Sequence, residues 1–186
     1  LRKLGLRLDH VHLVSPYSKM EFAYKQPKHQ DWFDVKVGNV RLNDVDIPGY
    51  FSTKELRVGG LWINDVLLQN LKNRKIPVEP HIVPMIYEGL QKAPVRFKID
   101  TASVANFSVV YEELPVKGDK PGKLYFTDMN GQFSGLTNIV SYPEQFIRLH
   151  ADGNLMGSGH FTATWQLPVD SLYDRFLLDA RLDSLD

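Results

Sequence analysis

Residues 35–47 read VKVGNVRLNDVDI, and residues 56–68 read LRVGGLWINDVLL. Apolar residues fall at Val35, Val37, Val40, Leu42, Val45 and Ile47 in the first stretch. In the second they fall at Leu56, Val58, Leu61, Ile63, Val66 and Leu68, so both follow steps of two, three, two, three, two. A two-residue step marks a half-buried strand, whereas a three-residue step turns the next side chain to the wrong face. A β-bulge restores the facing by inserting one residue. Gly38-Asn39, Asn43-Asp44, Gly59-Gly60 and Asn64-Asp65 occupy the three-residue steps, and Gly and Asn reach positive φ at least cost. The repeat therefore predicts long strands bent at regular points, with the apolar residues kept on one side.

The pattern extends outward. A looser copy runs through Phe97, Ile99, Ala102, Val104, Phe107, Val109 and Tyr111, and a fragment opens the chain at Leu6, Leu8, Val11 and Leu13. Two other readings use the same residues. Gly38-Asn39 and Gly59-Gly60 could be hairpin turns, which would leave very short strands. A five-residue period could mark a β-solenoid, for which the copies are too few and too separated.

Further strands are plainer. Phe161, Ala163, Trp165 and Leu167 alternate with polar residues, as do Phe176, Leu178, Ala180 and Leu182 with their neighbours, while 123–129 and 145–155 are strand-like. Residues 116–122 form a polar, turn-rich loop. One short helix is predicted within Val83–Lys92, with Pro84 in its first turn, Ile82, Met85, Ile86 and Leu90 on one face, and Pro94 as its stop. The expectation is a mainly β fold: a curved, bulged antiparallel sheet, an open groove or half-barrel, with that helix packed on it.

The 186 residues suit one domain with a core, and 43% hydrophobic with 24% charged residues is ordinary globular composition. Formal net charge is zero, which argues against nucleic acid or anionic membrane as a partner held by broad electrostatics. The absence of cysteine removes disulfides, thiol catalysis and thiolate metal sites. The sequence has no apolar run of the roughly 20 residues that a membrane-spanning helix needs. Leu1-Arg2-Lys3-Leu4-Gly5 has neither an initiator methionine nor a signal-peptide core, and the chain stops in mid-pattern at Leu182-Asp183-Ser184-Leu185-Asp186. Both ends read as cut, so the expected object is an internal segment, truncated at both ends, of a longer protein.

The sequence supports no catalytic, cofactor-binding or metal-binding assignment. G-x-S-x-G, P-loop, G-x-G-x-x-G and H-E-x-x-H patterns are missing, and Gly157-Ser158-Gly159 reads as a loop or bulge. His10 and His12 would share a strand face without a third metal ligand at a defined distance, and His29, His81, His150 and His160 are isolated. Asp31 and the pair Glu112-Glu113 are candidate acids only by residue type, since adjacent strand residues point to opposite faces. Trp32, Trp62 and Trp165 could serve a carbohydrate module as stacking platforms or could be core anchors. Asn106-Phe107-Ser108 matches a glycosylation sequon.

The run from Val104 to Asn138, with VVYEELPVKGDKPGKLYFTDMNGQFSGLTN inside it, resembles the AsmA-like cell-envelope proteins, most closely the large versions common in Bacteroidetes. The resembling features are a strand ending Tyr111-Glu112-Glu113, the polar 117–122 loop, and the strand Leu124-Tyr125-Phe126-Thr127-Asp128-Met129. Gly157 to Pro168 resembles the family's Gly-rich strand with its following proline. Phe176 to Leu185 resembles the strand that precedes a Leu-Asn-Pro motif, which this sequence stops short of. The resemblance implies a long, mostly β periplasmic protein whose parent is anchored in the inner membrane outside this segment. It further implies an apolar groove that shields phospholipid tails during transfer toward the outer membrane, and it supplies no catalytic residue. The competing reading is a β-sheet carbohydrate- or protein-binding module of the envelope.

Overall fold

A computed structural model describes residues 4–77, 86–170 and 175–183. The chain forms one sheet of eight strands in sequential order: β1 (Leu4–Val14), β2 (Trp32–Val45), β3 (Glu55–Asn73), β4 (Arg96–Leu114), β5 (Gly122–Thr137), β6 (Phe146–Leu155), β7 (Gly159–Pro168) and β8 (Leu177–Asp183). The sheet is mainly β as expected and is not closed into a barrel, with β1 and β8 at its two edges.

Two features differ from the sequence reading. The sheet is mixed, because β3 and β4 pair in parallel from Glu55↔Arg96 to Asn73↔Leu114. A parallel pair needs a connection that returns along the sheet, commonly through a helix. Here the chain leaves β3 at Asn73, passes through a helix and starts β4 beside the beginning of β3. The second difference is that the described residues hold three short helices instead of one: α1 (Lys19–Lys25), α2 (Ile47–Thr53) and α3 (Ile86–Gln91). Helix α3 lies inside the predicted span, whereas Ile82, Pro84 and Met85 fall outside the described residues. In α1 a Glu21–Lys25 pair at 2.6 Å supports the exposed side, while Phe22 and Ala23 are buried. Helix α2 is opened by Asp46, whose carboxylate accepts from Gly49 N at 2.9 Å, and is closed by left-handed Lys54.

The strands bend where the repeat placed its three-residue steps, although not by the expected mechanism. β2 and β3 keep one register from Trp32↔Leu71 to Asn43↔Gly60, so neither strand carries an extra residue against the other. Instead Asp65 and Asp44 adopt left-handed conformations with φ of 57° and 55°. Each faces a glycine of the neighbouring strand: a Cβ on Gly38 would lie 2.8 Å from Asp65 Cβ, and one on Gly59 would lie 2.7 Å from Asp44 Cβ. His10 in β1, Asn106 in β4 and Asp128 in β5 are also left-handed, which carries the crease through Gly38 and Asp65 across five strands. True register shifts do occur in β1–β2 between Leu4 and Leu6, in β4–β5 around Phe107, and in β5–β6 between Thr127 and Asn130.

Candidate functional site

Across the creases the apolar residues of the repeat line up from strand to strand. Cross-strand pairing gives the row Leu13–Val35–Leu68–Val109–Phe126–Leu155. Beyond the crease, Leu8–Val40–Ile63–Val104 continues into Gly131, Ala151, Ala163 and Ala180. The adjoining row is Leu6–Leu42–Leu61–Ala102–Phe133–Leu149–Trp165–Leu178. One face of the sheet is therefore apolar from edge to edge.

The helices meet this sheet at its ends. At one end α1 closes a cluster of Phe22, Ala23, Trp32, Leu71 and Leu114, on the face opposite the apolar rows. Asn73 Nδ2 donates to Ala23 O at 2.7 Å, and Lys19 pairs with Glu112 beneath the helix. At the other end Leu90 of α3 packs with Ile147, Leu167 and Val169 against Phe133, Leu136 and Trp165 on the apolar face. Between the ends, the rows over β4–β8 form an open trough of about 530 Å³ whose lining is apolar apart from Asn130. Its side chains touch sideways along the sheet and stay half-buried, as in Val104, Phe107, Phe126, Phe133, Leu149 and Trp165. At both edges apolar residues of this face are more exposed still: Leu8 and Leu13 on β1 are 59% and 65% accessible, Leu178 and Leu182 on β8 50% and 46%.

Small residues deepen the trough. The row Gly131–Ala151–Ala163–Ala180 runs across β5–β8 between bulky neighbours, with Met129 and Phe161 on one side and Phe133, Leu149 and Trp165 on the other. Over β1–β4 the same row is Leu8, Val40, Ile63 and Val104, where branched side chains fill the depression.

The apolar face ends at a polar group on the β3–β4 end. Tyr111 Oη donates to Glu113 Oε2 at 2.5 Å, and Glu113 also pairs with Arg74 at 3.1 Å. Burial, and after it the carboxylate partner, push the Tyr111 phenol up to about 12. The hydrogen bond from Tyr111 holds Glu113 below the usual carboxylate range, and Arg74 adds to this. Asp31 contributes a further charge near Tyr111, and its Oδ1 lies 3.6 Å from His29 Nε2.

The residues weighed for chemistry scatter. Glu112 and Glu113 do point apart, one toward Lys19 and the other toward Arg74. The left-handed turn at His10 interrupts the alternation that would have set it beside His12, which instead contacts Asp34 Oδ1 at 2.8 Å. His150 contacts Thr164 Oγ1, His160 contacts Asn154 Oδ1, and His81 lies outside the described residues. Among the described residues, no group of three or more His, Asp or Glu is placed to hold a metal ion. Asn106 of the sequon sits in the crease and donates to Asp65 Oδ1 at 2.7 Å. Gly157 turns the β6–β7 hairpin with φ +92°. The tryptophans separate: Trp32 is buried under α1, Trp165 lines the trough, and Trp62 stands on the polar face under the Arg41 guanidinium at 4.8 Å. Among the described residues no helix is long and apolar enough to cross a membrane.

No protein-family model matches the chain, and no curated protein matches it.

Proposed function

We propose that the chain is a non-catalytic segment of an AsmA-like envelope protein and that its apolar face holds phospholipid acyl chains. The observation that carries this reading is the open apolar trough in the middle of a single-layer sheet. Apolar side chains left open to water forgo roughly 25 cal/mol per Å² of burial, so an apolar occupant of the trough would be stabilised by covering them. An acyl chain suits the site because its demand is area without hydrogen bonds, and the trough offers that. The resemblance from Val104 to Asn138 supports the same reading, since its strands β4 and β5 supply one wall of the trough. On this reading the parent works in the periplasm, is anchored to the inner membrane outside this segment, and helps lipid transfer or outer-membrane biogenesis.

The test is mass spectrometry of organic extracts from the purified chain, beside a lipid-free control protein handled identically. Phospholipid should be enriched, Met129→Lys should lose the enrichment, and Gln132→Lys on the opposite face should keep it. Extracts indistinguishable from the control, or equal loss in both variants, would refute the assignment.

A further inference from the structure

The opposite face carries a second depression, about 710 Å³ in volume, and its chemistry is different. Its floor is made by β4 and β5, where Thr101, Ser103 and Ser134 are short and hydroxylated. Trp62 of β3 forms one side, and Arg148 and His150 of β6 form the other. Strands lie about 4.8 Å apart, so the two walls, three strands apart, stand roughly 14 Å from each other. The depression exists because bulky side chains flank a strip of small ones.

The indole is held in place on both sides. A Cβ on Gly60 would sit 2.0 Å from Trp62 Cη2, so the ring lies back over a glycine, and Arg41 stacks on the ring. On the far wall, His150 Nδ1 engages Thr164 Oγ1 at 3.2 Å, which leaves its other ring nitrogen for a ligand. Arg148 makes no ion pair or hydrogen bond among the described residues, although nearly every other arginine of the sheet has a carboxylate or an aromatic ring. Among the described residues, none lining the depression carries a carboxylate. The site thus combines a fixed aromatic edge, a row of hydroxyl and amide groups, and an unpaired guanidinium.

We infer that this depression binds a carboxylated sugar. The carboxylate would pair with Arg148, where the planar fork favours a bidentate contact. Sugar hydroxyls would exchange hydrogen bonds with Ser103, Ser134 and Gln132, and the apolar C–H face of the ring would pack on Trp62. A neutral sugar would leave Arg148 without a partner, and a bare inorganic anion would leave Trp62 and the hydroxyl row unused. The inference is independent of what the apolar face holds, because the two sites lie on opposite faces.

Titration of the chain with trigalacturonate, followed through backbone amide and indole NMR signals, tests it. Saturable shifts are expected at Trp62, Ser103, Gln132, Ser134 and His150. Arg148→Gln should weaken binding about ten- to hundredfold, the range for a hydrogen bond to a charged group. Arg148 is exposed, so this variant should fold normally, as far-UV circular dichroism would verify. Gly60→Ala should also weaken binding by displacing the indole. Maltotriose should bind at least about tenfold more weakly than trigalacturonate. Absence of saturable shifts, equal binding of maltotriose, competition by inorganic phosphate at the same concentration as trigalacturonate, or unchanged binding in Arg148→Gln would each overturn the inference.

Discussion

The end of the sheet under α1 and its uncovered middle are built from the same kind of sequence and end in different states. Leu71 and Leu114 are 1% and 0% exposed because Phe22 and Ala23 of a seven-residue helix close over that face. Val66 and Leu68, a few residues along β3 but on the opposite face, remain half-buried, with strand neighbours beside them. Alternation specifies which side of a strand is apolar. Whether a face becomes core or groove depends on what the chain lays over it: among the described residues α1 covers one end of the polar face and α3 one end of the apolar face.

The comparison predicts unequal costs for the same truncation. Leu114→Ala should lose about 2–5 kcal/mol in urea unfolding, the range for a filled core position. Leu68→Ala should lose about 1 kcal/mol, because less area is withdrawn from water there. Equal losses would show that the rows are covered in solution and would remove the distinction.

The creases that align the rows can be tested next. Asp65→Val places a β-branched residue at φ 57° and deletes the contact to Asn106, so it should cost about 1–3 kcal/mol. Asp65→Asn tolerates the same backbone and should cost much less. If both variants unfold alike, the left-handed conformation is not what positions the rows.

The smallest expected effect concerns the polar end of the apolar face. The Tyr111 phenol is raised in the folded state, so the stability it contributes is full below its ordinary value near 10 and is lost as pH rises toward about 12. Tyr111→Phe should cost about 1 kcal/mol at neutral pH and should flatten that alkaline limb relative to the parent chain. An alkaline limb identical in the two proteins would contradict the assignment.

Much of this architecture was legible in the sequence. The steps of two and three in residues 35–47 and 56–68 located the bends and the apolar side, since only a local departure from extended geometry reconciles them. Their mechanism was not legible, because Asp44 and Asp65 owe their conformations partly to Gly59 and Gly38 on a neighbouring strand. Nor was the parallel β3–β4 pair, which depends on where the connection through α3 delivers the chain. Helices α1 and α2 are each seven residues, too short for periodicity to register, and Pro48 and Gly49 in α2 read locally as a turn. Individual tryptophans could not be assigned from sequence, since Trp32, Trp62 and Trp165 all sit in strands and differ only in face and cover.

The most direct test of the central claim is photocross-linking with a phospholipid that carries a diazirine in its acyl chain, followed by peptide mapping. Adducts are expected on trough residues such as Val104, Phe107, Met129, Phe133 and Leu149, with few at Ser103, Gln132 or His150 on the opposite face. Adducts spread equally over both faces, or no labelling above a control protein, would contradict it.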